Sequence, residues 1–238
     1  MNILAIDQGP ESSGVTIWDT EAWAVLFAEP AYNNAKLLAH LSCRTTKRKQ
    51  GLRFLPQGDE FPAETWDFQG DGHRPPLIDM LVLERFSSYG STMGATTIDS
   101  IRYGGMFAVA AHMNGLAWKD IGWMANATWR SMIAGRASAT ESQTKEAMRQ
   151  MLMDHMVQTG TEDRMGGGKM WWKGIKAKPG PLVHIKDHSW SALGLAMAMQ
   201  RYLDAKRRAE ELGTAFHEPY PLAQLNVARG LYDMVGTR

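Results

Sequence analysis

The sequence predicts an α/β fold, on three observations. Short apolar runs rich in branched residues occur at 1–6, 15–18 and 77–83; helix-period runs occur at 96–114, 141–156 and 192–199; and a further strand-like run at 121–125 lies between the first two of these helices. With 238 residues the chain is long enough for a substantial core, and it reads as one domain over 1–238. The single cysteine, Cys43, excludes an internal disulfide framework and a cysteine-only zinc site. No apolar run approaches the roughly 20 residues of a membrane span, and Met1 leads straight into the first strand, so the expected location is cytoplasmic.

Each element follows from its local pattern. The first run is stopped by Gln8-Gly9-Pro10 and reads as a buried strand turning into a hairpin with 15–18. Residues 18–29 supply two more strand candidates around a turn at Asp19-Thr20-Glu21. A short helix over 33–43 carries Leu37, Leu38 and Leu41 on one side, and 44–76 is a polar stretch punctuated by Gly and Pro. A strand over 77–83 follows, then a broad apolar helix over 96–114 in which Gly104-Gly105 would let another helix approach closely. Residues 121–125 read as the last strand. Ser138 with Glu141 and Thr140 with Gln143 form overlapping capping boxes that mark a helix start. Ala147, Met148, Met151, Leu152, His155 and Met156 then recur at core spacing.

The chemistry lies where strands end. Asp7 closes the first run and Glu84 closes the run at 77–83, each delivering a carboxylate into a loop of small residues. A turn aspartate bonding its own backbone is the simpler reading of Asp7 alone. A third acidic site, Asp187-His188, opens the helical run at 192–199, and at about 100° per residue both share a face with Ser191. Asp187 could equally be the cap of that helix. If the three sites meet at one end of a sheet, they offer carboxylates and an imidazole suited to Mg²⁺ or Mn²⁺.

Net charge is only +1, but its distribution is uneven. Residues 44–53 contain five cations, among them Lys47, Arg48 and Lys49, and 169–178 interleave Lys169, Lys173, Lys176 and Lys178 with Trp171-Trp172. Basic groups neutralise phosphates, and exposed aromatics stack on unpaired bases. Flanking Gly166-Gly167-Gly168 and Pro179-Gly180-Pro181 suggest a mobile loop for the second stretch; packing of the tryptophans onto the body is the alternative.

With these residues in this order, the chain resembles the RuvC family of Holliday-junction resolvases, particularly its phage-type members, within the RNase H-like nucleases. The likeness runs through 3–19, 81–86, 97–114, 121–153 and 187–202, with insertions at about 44–76 and 158–183. It implies a mixed five-stranded RNase H-like sheet flanked by helices, a homodimer paired through the helix at 96–114, and two Mg²⁺ or Mn²⁺ ions per site. It further implies cleavage of four-way or other branched DNA, in a host cytoplasm if the chain is phage-encoded. Asp7, Glu84, Asp187 and His188 would hold the ions, with Asp7 bridging them, and Lys145 would lie near the scissile phosphate. Arg85, Phe86, Lys47, Arg48, Lys49, Lys173 and Lys176 would contact DNA, although Phe86 is one residue out of the usual spacing, which favours core packing for it. The family register puts His188 at the first closing position and Ser191 at the second, where an acid is usual; Asp187 then supplies the missing charge, or the phosphate does.

Two rivals remain. Asp7-Gln8-Gly9 with Ser12-Ser13 also looks like the first phosphate-binding motif of sugar kinases and actin-like ATPases, and Ser191 in place of an acid fits a branched-DNA binder that does not cut.

Overall fold

The computed structural model describes residues 1–42, 52–53, 77–86 and 94–215. Lys47, Arg48, Lys49 and Cys43 lie outside these residues. Five strands form the main sheet: β1 (Asn2–Asp7), β2 (Ser12–Asp19), β3 (Ala24–Asn33), β4 (Met80–Arg85) and β5 (Ile121–Ala125). Their order is β3-β2-β1-β4-β5, antiparallel across the first three and parallel from β1 through β4 to β5. Five helices flank it: α1 (Asn34–Ser42), α2 (Ala95–Met113), α3 (Asn126–Ala134), α4 (Glu141–Thr159) and α5 (Ser189–Glu211). This is the α/β arrangement with a mixed five-stranded sheet expected of an RNase H-like chain.

Alternation along the central strands decides which helices lie on which face. Ile3, Ala5 and Val82 join a core with α3, α4 and α5, whereas Leu4, Ile6, Leu81 and Leu83 join a second core with α1 and α2. Both faces are covered, so β1 and β4 read as continuous apolar runs. Every residue from Ile3 to Ile6 and from Leu81 to Leu83 is completely buried.

Several elements depart from expectation. The run at 77–83 is split at Asp79, whose carboxylate accepts a hydrogen bond from the Asn2 backbone N–H at 2.7 Å. Leu77–Ile78 instead pairs with Leu52–Arg53. Only the Thr140–Gln143 capping box forms, with both reciprocal bonds, so Glu141 opens α4 and its side chain turns to Lys145. Gly104 gives its space to the side chains of Gln8 and Trp123, while Gly105 beside it faces open space. On α2 the apolar residues divide: Phe107, Ala108, Ala110 and Ala111 are buried, while Ile98, Met106, Val109 and Met113 are exposed on the opposite face.

The stretch 162–185 is folded. A hairpin pairs Gly174–Ile175 with Lys178–Pro179. Trp171 and Trp172 are half-buried against the α3–α5 core, as in the packing alternative, and the Arg149 guanidinium lies 4.1 Å from the Trp172 ring centre. No helix among the described residues is long and apolar enough to cross a membrane.

Candidate active site

Parallel pairing sets the position of the two strand-end acids. Ile6 stands opposite Leu83, so Asp7 and Glu84 follow as neighbours at the same edge. Both continue the alternation of Ala5 and Val82, and so face α3 and α5. Glu84 is 6% exposed and Asp7's side chain 12%. The two carboxyl groups share a hydrogen bond.

Burial first, and then the hydrogen bond and charge of Asp7, push Glu84 up to about 8. Asp7 is also raised, chiefly by burial, while hydrogen bonds from Glu84 and Ser191 and the charge of Arg130 oppose the shift. Glu84 is therefore the member that keeps a proton and donates it to Asp7. Two buried carboxylates this close cannot both ionise without a compensating cation.

The surrounding groups are placed by the fold. Gln8, one residue beyond Asp7, points to the α2 face and clamps the backbone of Glu84: its amide donates to the Glu84 carbonyl at 2.8 Å and accepts from the Glu84 N–H at 2.8 Å. Those two bonds extend the β1–β4 ladder by a side chain. Because α3 starts directly after β5, its first residue, Asn126, comes beside Glu84 and favours its ionised form, and Arg130 one turn on sets its charge against both acids. A cleft of about 440 Å³ opens beside them, lined by Glu84, Arg85, Phe86, Asn126, Arg130 and Ser138 among others. Phe86 is half-buried there and does not join the buried core, contrary to the packing expected for it.

The third part of the site comes from the start of α5. Gly14 faces Asp7 across β1 and β2, and a Cβ there would collide with the His188 carbonyl oxygen. The missing side chain lets the start of α5 settle against β2, where Thr16 Oγ1 donates to the Ser189 carbonyl at 3.2 Å. His188 Nδ1 then lies 3.2 Å from Asp7 Oδ2, with the ring 73% exposed. Ser191, one turn later, is close enough to Asp7 to favour its ionised form. Asp187 occupies the corner before α5 with φ +37, exposed, and has no hydrogen bond or ion pair to Asp7 or Glu84 among the described residues. It does not cap α5 with its side chain; the cap position is His188.

Lys145 is paired with the first residue of α4. Its Nζ pairs with Glu141 at 2.5 Å and sits 5.7 Å from the Trp190 ring centre. Gln8, Asn126, Arg130 and Glu141 were not selected from sequence. Only Gln8 carried a signal, as a polar residue continuing the buried alternation of Leu4 and Ile6.

Among the described residues no three His, Cys, Asp or Glu side chains already converge as a metal cage. The donor chemistry nevertheless fits a divalent ion. Asp7 and Glu84 are hard oxygen donors held together at the cost of a retained proton, His188 already touches Asp7, and a cation in place of that proton relieves the repulsion.

No family model matches the chain, and no curated protein matches it. Among solved structures, the chain is similar to Thermus thermophilus RuvC in complex with Holliday junction substrate, at 13% identity and a TM-score of 0.48, over 85% of this chain and 94% of that one. It is likewise similar to a second Thermus thermophilus RuvC structure, at 15% identity and a TM-score of 0.49, over 86% of this chain and 96% of that one.

Proposed function

We propose that the chain is a metal-dependent endodeoxyribonuclease that cuts four-way or other branched DNA by phosphodiester hydrolysis. The observation that carries this reading is the buried Asp7–Glu84 pair at the edge of two parallel strands, with Glu84 holding its proton to about 8. Such a pair is costly for a purely structural feature and useful as a cation site. Asp7, Glu84 and His188 would hold two Mg²⁺ or Mn²⁺ ions, Asp7 being the residue that touches both of the others. When bound, such ions activate water and stabilise the leaving oxygen.

The chain's own groups do the rest. Gln8 fixes the Glu84 backbone, and Asn126 orients its carboxyl. Arg130, beside both acids and in the cleft wall, neutralises phosphate charge in the part expected of Lys145. Arg85 and Phe86 line the same cleft, and Lys173 and Lys176 are exposed on the hairpin, so both surfaces are available to DNA. The exposed stripe Ile98, Met106, Val109 and Met113 on α2 is the face that would pair two copies and present two sites to opposed strands.

The kinase-like rival is weakened by the loop after β1. Ser13 Oγ donates to Asn34 Oδ1 at 2.6 Å and Gln8 is spent on Glu84, so these groups face the protein, not a nucleotide phosphate.

The test is incubation of a labelled four-way junction, a linear duplex and an RNA/DNA hybrid with Mg²⁺ and then Mn²⁺, beside sedimentation of the protein. Paired cuts in the junction by a dimer are expected. Asp7→Asn should lower cleavage at least about 10²-fold while keeping junction binding. Normal cutting by Asp7→Asn would overturn the assignment, and junction binding without any products would leave a non-cutting binder.

A further inference from the structure

Ser191 stands where the family register expects an acid, and its hydroxyl favours the ionised form of Asp7 without adding a charge of its own. The first turn of α4 carries a carboxylate that can make up this deficit. Thr140 caps α4 through its box with Gln143, which sets Glu141 as the first helical residue. Ser138, three residues earlier, lines the cleft that begins at Glu84. From the other side, Glu141 pairs with Lys145 at 2.5 Å, and Lys145 lies over Trp190, two residues from His188. Glu141 thus follows a residue pair of the cleft wall, Ser138 and Ala139, at the start of α4, and its partner Lys145 reaches the first turn of α5. The charge of Glu141 acts on Asp7, Arg130 and His188.

We propose that Glu141 is a third anionic ligand of this site, turning from Lys145 to a divalent cation held by Asp7 and Glu84 and so supplying the charge that Ser191 lacks. The inference rests on the nuclease reading of the Asp7–Glu84 pair and adds a residue that neither the sequence pattern nor the resemblance selects. Glu141 is 61% exposed, and an exposed ion pair is weak enough to exchange its partner for a divalent ion. Lys145 then becomes a positioning residue that holds Glu141 at the rim in the metal-free protein.

Mn²⁺ binding to the full chain, followed by calorimetry and by the paramagnetic resonance of free Mn²⁺, separates the possibilities without any substrate. Glu141→Gln should weaken Mn²⁺ by at least about tenfold, a loss that removal of even a supporting group around a metal can cause. The deficit should persist in about 0.5 M KCl, where a merely through-space charge effect is screened. Lys145→Met should tighten binding, and Ser191→Asp added to Glu141→Gln should recover it. Glu141→Gln keeps the Thr140–Gln143 cap, so its melting curve should stay close to the parent's. Wild-type Mn²⁺ affinity in Glu141→Gln, with Glu84→Gln impaired, would overturn the role of Glu141 and leave the site reading standing. Unchanged affinity in Glu84→Gln as well would remove both.

Discussion

Asp7 and Glu84 project from neighbouring parallel strands whose preceding residues are completely buried, whereas His188 and Glu141 project from helix starts and are mostly exposed. The floor is fixed by backbone: Gln8 doubles the ladder at Glu84, and burial strongly shifts the carboxyl groups. The rim is fixed by single side-chain contacts in high dielectric, each of little energetic weight. A floor of this kind can hold charges together before any ligand arrives, while a rim of this kind can rearrange around one. Chemistry that needs both a preorganised electrostatic centre and admission of a bulky polyanion is served by the combination.

The sharpest way to break the division is at the residue that joins floor to rim. Gly14→Val would drive a side chain into the His188 backbone, which lies where the first added carbon would be. Overpacking of this sort costs typically about 1–3 kcal/mol, and here the strain falls on the start of α5. Cleavage should fall at least about 10²-fold, since displacement of about 1 Å can have that effect. Gln158→Ala, exposed in the last turn of α4, should leave cutting intact and raise the melting temperature slightly. Equal activity in Gly14→Val and the parent would show that His188 need not be seated against Asp7.

A smaller effect, on stability, sharpens the account of the floor. Glu84 is raised from 4.5 to about 8 by burial and by Asp7, so the folded chain holds a proton that the unfolded chain releases above about 4.5. This contribution to stability is fully present below about 4.5 and is lost as pH rises toward about 8. The metal-free protein should therefore melt progressively lower between these limits. Glu84→Gln should flatten the slope, and Mn²⁺ should restore the melting temperature most on the alkaline side, where fewer protons compete. Parallel pH profiles for the parent and Glu84→Gln would mean that the pair does not carry the strain assigned to it.

The same division explains what was legible in the sequence. Asp7 and Glu84 could be found because each ends a run whose alternation is local. Asn126, Arg130 and Glu141 could not, because their approach depends on β1 pairing with a strand more than seventy residues away and on the direction of α3 and α4 from that sheet. The glycines at 166–180 suggested mobility, yet Gly174 and Gly180 are there because a Cβ would strike neighbouring backbone in a compact hairpin. Composition gives the same signal for a flexible loop as for a tightly crossed one. Likewise the apolar residues of α2 have one periodicity whether a face meets the sheet or solvent, and only the fold divides Phe107 from Val109.

The smallest expected effect concerns the outer edge of the rim. Lys173, Lys176 and Lys178 are exposed on or beside the hairpin, and no acid occurs between Arg164 and Lys186 to offset them. The hairpin is anchored by Trp171 and Trp172 against the core, so its lysines are presented on a folded support. If they meet phosphates, replacing all three by Gln should reduce the log–log salt dependence of junction binding by roughly 0.9 for each phosphate no longer neutralised. Cleavage at saturating DNA should hardly change, because these charges lie outside the carboxylate centre. Asp7→Asn should show the converse, the parent's salt slope with cutting abolished. An unchanged slope in the triple variant would make the hairpin a solvated basic surface and confine DNA binding to the cleft of Arg85, Phe86 and Arg130.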